Sequence, residues 1–127
     1  KVFISTELGG GGSTTAYTVE IAKIGIRNIL RYAGITKGDL EVENTLNLDM
    51  PDDNCYIFSE STGLVEHCVD LGDKVKAGQL ITKVHNIERT GSHPDEYHAK
   101  IDGIFTGKHF PGLVVNGDFL GVIAVPV

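Results

Sequence analysis

The sequence has little of what several large classes of protein require. Its 11 lysines and arginines are outnumbered by 17 aspartates and glutamates, for a net charge of -6. Nucleic acids and anionic membranes both need a basic surface that displaces counterions, so neither is an expected partner. No apolar run reaches the roughly 18 residues of a membrane-spanning helix, and no charged-then-apolar leader is present, so neither a span nor a signal peptide is expected in these residues. Cysteine is scarce too. Cys55 and Cys68 fall on separate expected strands without C-x-x-C spacing, which fits reduced core thiols of a cytoplasmic protein.

The 127 residues suffice for one domain with a core, or for a small domain and part of another. The chain opens on Lys1 rather than Met, and Lys1 to Thr6 reads at once as a strand, so the sequence is expected to begin in mid-fold. Charge divides it: residues 1–45 hold five basic and five acidic side chains, and residues 46–127 hold six and twelve. Two domains are expected with that boundary, and the overall class is α+β.

In the first part, Val2 to Glu7 alternates with the period of a strand. Glycines 9 to 12 end it. Ser13 or Thr15 then caps a helix whose apolar residues Val19, Ala22, Ile26, Ile29, Leu30 and Ala33 recur every three or four positions, with Glu20, Lys23, Arg27 and Arg31 opposite. Gly34 is its natural stop. Tyr17, Ile21 and Ile24 form a second apolar stripe, so the helix is expected to be covered on more than one side of a layered α/β structure. After Gly38 the helical period vanishes, and short β-rich runs follow at 54–59, 64–69, 80–84, 103–106 and 119–125.

Those runs contain a repeat. Gly63, Gly72 and Val75 recur forty residues later as Gly103, Gly112 and Val115; Gly78, Leu80, Ile81 and Val84 recur thirty-nine later as Gly117, Phe119, Leu120 and Ile123. The first copy resembles the half-motif of biotinyl and lipoyl carrier domains, which implies a barrel-sandwich hybrid built from two interlocked halves (a hammerhead). A carrier's modified lysine sits at the tip between the halves, near Glu88 and Arg89 here, and no lysine is there. Lys100 comes too late, and a polar insert, Arg89 to Glu96, replaces the tight turn. The fold is supported and the carrier chemistry contradicted.

Glu7 is the residue best placed for chemistry. A carboxylate at the carboxyl end of a strand faces the edge where α/β sheets gather ligands, and the glycines that follow let a ligand approach without a Cβ in the way. The same glycines before a helix can cradle an anion, but neither a P-loop Gly-Lys-Ser/Thr nor a spaced dinucleotide fingerprint is present.

Ser5-Thr6-Glu7-Leu8-Gly9-Gly10, followed by a long amphipathic helix, resembles the final catalytic segment of the succinylglutamate desuccinylase/aspartoacylase family. Gly9 to Gly12 with Ser13 is most similar to its ectoine-degradation, N-acetyl-diaminobutyrate deacetylase branch. The resemblance implies a carboxypeptidase-like (M14-like) α/β zinc domain followed by a β domain, and a chain that is the carboxyl-terminal fragment of a zinc-dependent deacylase. Glu7 is then the general base: it accepts a proton from zinc-bound water attacking the acyl carbonyl and passes it to the leaving amine. The substrate implied is a small N-acyl amino acid, the acyl group being acetyl, with the β domain shaping access.

The family's zinc ligands, a His-x-x-Glu pair and a later histidine, precede the base in chain order, so zinc is expected in the full-length enzyme with its ligands absent from this chain, and the fragment alone is expected to be inactive. Two His-x-x-Glu strings, His85 to Glu88 and His93 to Glu96, follow Glu7 instead and fall around the hairpin, where no metal site is expected. His67, His98 and His109 read as single histidines on β segments, hydrogen-bonded surface or rim groups rather than ligands. The insert with Arg89, His93 and Tyr97 reads as a lid or subunit contact. Candidate substrate-binding residues are Gly9, Gly10, Arg89 and His93. Exposed strand edges and an apolar helix flank favour a homo-oligomer. Two readings stand beside the deacylase: a non-catalytic hammerhead interaction module, and a small anion-binding domain on the glycine loop.

Overall fold

The computed structural model describes residues 3–127. They form two compact units, one ending at Thr45 and the other spanning Leu46–Val127. One helix and a set of antiparallel sheets make the fold α+β.

Helix α1, Ala16–Tyr32, starts where its sequence can satisfy the free N–H groups of a first turn. Thr15, extended at φ -122°, accepts the N–H of Thr18 on its hydroxyl at 3.1 Å, and the Thr18 hydroxyl accepts the N–H of Thr15 at 3.0 Å. This reciprocal box settles the cap on Thr15. Ser13 is engaged elsewhere, its N–H and hydroxyl both donating to the Gly10 carbonyl at 3.2 and 2.9 Å. At the other end Gly34 turns left-handed at φ 71°. Its N–H then reaches the Arg31 carbonyl at 3.0 Å and that of Ile35 reaches Leu30 at 2.9 Å, the paired bonds of a Schellman stop.

Two expectations for this unit are corrected. Of the expected strand from Val2 to Glu7, Val2 lies outside the described residues, and residues 3–8 pair with no strand among them. Alternation supplies one face of a strand but not the neighbour whose hydrogen bonds define it. Nor do the described residues cover α1 on two sides: none of its residues is buried among them, and Tyr17, Ile21 and Ile26 are exposed. Its polar flank is the one that gains company. The Asn28 amide donates to the Glu41 carbonyl at 2.7 Å and accepts the Glu41 N–H at 2.9 Å. Arg31 donates to the Asp39 carbonyl at 2.8 Å and to the Glu41 carboxylate at 2.7 Å.

The second unit has nine strands: β1 Leu48–Asp49, β2 Tyr56–Phe58, β3 Gly63–His67, β4 Lys74–Val75, β5 Leu80–His85, β6 Asp95–His98, β7 Gly103–Lys108, β8 Leu113–Val114 and β9 Phe119–Pro126. One sheet runs β1-β9-β7-β4 with β2 also on β9, and the other runs β6-β5-β3-β8. The repeat explains this order. Strands β2 to β5 form one half and β6 to β9 the other, and the outer strands are exchanged. β2 and β4 pair only with β9 and β7 of the second half, and β6 and β8 only with β5 and β3 of the first.

The exchange repeats bond by bond. The Gly78 N–H donates to the Ala99 carbonyl at 2.8 Å, and Gly117 donates to Ser59 at 2.7 Å; Ala99 and Ser59 donate in return to Gln79 and Asp118, both at 2.8 Å. It also corrects the repeat's register. The counterpart of Val75 is Val114, not Val115: Val75 and Val114 are 2% and 1% exposed and lie opposite Gly103 and Gly63, whereas Val115 is 54% exposed. The dropped residue therefore falls before this valine. The turn of Lys76 to Gln79 then superposes in sequence on Val115 to Asp118, where the Lys76 and Val115 N–H groups donate to the Gln79 and Asp118 side chains at 3.0 and 2.9 Å.

Between the sheets lies a core of Ile57, Val75, Ile81, Val84, Ala99, Phe105, Val114, Leu120 and Ile123. Cys55, in the 3-10 turn Asp53–Cys55, is buried, as expected of a core thiol. Cys68 is not: it continues the outward face of β3 after Leu64 and Glu66 and is exposed. Both thiols are free.

Candidate functional site

The segment around Glu7 is a glycine-built loop hung on the start of α1. Gly9, Gly11 and Gly12 take φ of 89°, 63° and 67°, left-handed values that side-chain-bearing residues avoid. With Ser13 folded onto Gly10, the chain reverses between Leu8 and the helix cap. The Glu7 carboxylate is left exposed. The two arginines of this unit do not claim it: Arg27 lies 3.6 Å from Glu20 and 3.5 Å from Glu41, and Arg31 is bound to Glu41. That network, with the Arg31 hydrogen bond its largest cause and Arg27 next, holds the Glu41 carboxyl below the usual carboxylate range.

Glu7, Gly9 and Gly10 thus share one loop in the first unit. Arg89 and His93 belong to the second, on the exposed connection between β5 and β6. Arg89 closes a turn there, its carbonyl accepting the Ser92 hydroxyl at 2.9 Å. Tyr97 is no part of a free lid. It lies on β6, where its hydroxyl accepts the Glu60 N–H at 3.0 Å and meets the Ser61 hydroxyl at 2.9 Å, fastening β6 to the approach of β3. The expected insert is shorter than its polar composition suggested, because Asp95 and Glu96 are already strand.

Neither His-x-x-Glu string closes on itself. His85 Nε2 pairs with the Glu66 carboxylate at 2.5 Å across β3 and β5, while the Glu88 N–H is turned onto Asn86. Glu96 lies near Lys83 and His98, at 3.9 and 3.8 Å. Each string has one member on a strand and one off it, and the strand member takes a cross-strand neighbour, Glu66 or Lys83, or the residue two along, His98. Among the described residues no three histidines, cysteines, aspartates or glutamates converge as metal ligands.

Sequence reasoning took His67 and His109 as single histidines and missed the polar cluster that joins them to Thr82. His67, half-buried on β3, has Nδ1 3.3 Å from the Thr82 hydroxyl and Nε2 3.1 Å from the His109 carbonyl. Thr82 is buried with no exposed surface. Burial is the main reason the His67 ring is pushed below the usual imidazole range. The signal available in the sequence was alternation, which places Val65 and His67 on the inward side of β3. Cys68 moves the other way: desolvation, then the Glu66 carboxylate, raises its thiol.

No protein-family model matches the chain. It is 46% identical over 126 residues to the N-alpha-acetyl-L-2,4-diaminobutyric acid deacetylase of Halomonas elongata, covering 98% of this chain and 37% of that protein. Among solved structures, the product-bound ectoine utilization protein EutE (DoeB) from Ruegeria pomeroyi is 49% identical with a TM-score of 0.89, covering 94% of this chain and 36% of that one. A succinylglutamate desuccinylase/aspartoacylase from Rhodobacter sphaeroides is 29% identical with a TM-score of 0.89, covering 95% of this chain and 39% of that one. The chain spans well under half the length of each, and no helix among its described residues is long and apolar enough to cross a membrane. By sequence and by fold, these residues match members of the succinylglutamate desuccinylase/aspartoacylase family, as a stretch covering a little over a third of the length of each.

Proposed function

We propose that the whole protein containing these residues hydrolyses the amide bond of a small N-acylated amino acid, with acetyl as the acyl group and Glu7 as the general base. The observation that carries the reading is the Glu7 loop: left-handed glycines hold an exposed carboxylate ahead of a capped helix, and the neighbouring arginines are spent on Glu20 and Glu41. The 46% identity to a diaminobutyrate deacetylase supports that substrate class. In this role the Glu7 carboxylate removes a proton from the water attacking the acyl carbon. As the C–N bond breaks, it returns that proton to the leaving nitrogen, so the acid and the free amine depart with the charge balanced.

Zinc is the cofactor proposed for the whole enzyme. The donors described here do not fit it, because a catalytic zinc takes three protein ligands and no such trio converges among them. Its ligands are assigned to the rest of the protein, and the 127 residues alone are proposed to be inactive.

The β unit is read as a barrel-sandwich hybrid, supported by its exchanged outer strands and the twofold repetition of its turns. It is not proposed as a carrier, since Glu88 and Arg89 stand at the tip. Arg89 and His93, exposed on that connection, are its candidate substrate contacts.

The test is release of acetate from N-acetyl-diaminobutyrate by the full-length protein and its Glu7→Gln variant. Loss of the base is expected to lower turnover about 100-fold or more, with the circular dichroism spectrum and zinc content unchanged. A near-normal rate removes Glu7 from the mechanism. Turnover by the isolated 127-residue chain, abolished by the same substitution, overturns its assignment as inactive.

A further inference from the structure

Ser13 stands where it could cap α1, yet Thr15 holds that place and the Ser13 hydroxyl is turned back onto the loop that carries Glu7. Its N–H and its hydroxyl both donate to the Gly10 carbonyl, at 3.2 and 2.9 Å. The turn closed in this way has Gly11 and Gly12 at its centre, with φ of 63° and 67°, the pattern of a type I′ turn. The Ser13 carbonyl meets the loop one residue earlier: a Cβ built on Gly9 would lie 3.5 Å from that oxygen and 3.6 Å from the Thr18 methyl. Three groups of one residue thus bear on Gly9 and Gly10, just after Glu7 in the chain.

Four successive glycines lose more conformational freedom on ordering than any other residues would, and something must hold them. Among the described residues, Ser13 is the only one whose side chain hydrogen-bonds into residues 7–12. That bond is exposed, so water can replace it and it adds little to overall stability. Position is the stricter demand. A general base must come within about 3 Å of the proton it takes, and a misplacement of about 1 Å can cost about 100-fold in rate.

The geometry points to Ser13 as a positioning residue for the deacylation: its hydroxyl pins the glycine turn so that the Glu7 carboxylate is presented at one place. The inference rests on Glu7 being the general base. Ser13 takes no proton itself and acts through Glu7 alone.

Steady-state kinetics of acetate release from N-acetyl-diaminobutyrate by the full-length protein test this. Ser13→Ala keeps the N–H and carbonyl and loses only the hydroxyl. It is expected to lower kcat about tenfold, with KM within about twofold and the melting temperature unchanged, and Ser13→Thr, which restores a hydroxyl, to recover most of the loss. Added to Glu7→Gln, Ser13→Ala should slow the enzyme no further, because the group it positions is already gone. A purely structural role would lower the melting temperature or multiply the two effects, and either result overturns the proposal. So does a normal kcat in Ser13→Ala, a loss confined to KM, or a Ser13→Thr variant as slow as the alanine. A near-normal rate in Glu7→Gln alone overturns the reading of the base instead, so the two failures are distinct.

Discussion

Gly63 and Gly103 are the same residue of the fold used twice. Gly63 lies against the carbonyl of His85, and Gly103 against the carbonyl of Ala124, thirty-nine positions further on. A Cβ at either place would enter the space of that backbone oxygen, which has no side chain to swing aside.

Gly63→Ala and Gly103→Ala are therefore each expected to destabilise the β unit by about 2 kcal/mol or more, the upper part of the range for forcing a methyl into a filled interior. Gly72→Ala is a useful contrast: its Cβ would meet open space, and the change is strained only by its φ of 95°. Urea denaturation of the three variants checks the order, and a loss at Gly63 no larger than at Gly72 would show that the carbonyl of His85 gives way to the added methyl.

The register of the repeat can be tested with two adjacent valines. Val114→Ala removes a side chain from the shared core and is expected to cost about 2 kcal/mol, whereas Val115→Ala trims an exposed one and should change stability by under about 0.5 kcal/mol. Comparable losses would mean that Val115, as the spacing alone suggests, is the inward residue.

The clasp on α1 makes a prediction in pH. Glu41 is held below its ordinary value chiefly by Arg31, so the folded state favours the charged carboxylate. That stability is present above the unfolded pKa of about 4.3 and is lost as pH falls through the lower folded value. Melting temperature should decline over that acid window in the wild type, and the part due to this clasp should be absent in Glu41→Gln. An unchanged acid limb in the variant would remove Glu41 from the linkage.

Much of this was legible because it is local. The period of Val19 to Ala33 gave α1 and Gly34 gave its stop, since both follow from side-chain spacing and one backbone conformation. The repeated glycines gave the duplication. What spacing could not reach was pairing. β1, β4 and β8 are two residues long, too short for any alternation to show, and exist because a longer strand, β9, β7 or β3, receives them. The run from Val2 to Glu7 failed for the converse reason, an alternating pattern with no neighbour among the described residues. At the candidate site, Glu7 and its glycines could be named from their order along the chain, while His67 depended on Thr82 and His109, brought to it across two strands.

The exchanged strands also make each half depend on the other. A lone half would have two of its four strands, the counterparts of β2 and β4, with nothing to pair with except the matching strands of a second copy. A polypeptide of that length could complete its sheets only by pairing with a second copy. In the present β unit both halves lie on one chain, and residues 86–94 are the tether that makes their pairing intramolecular.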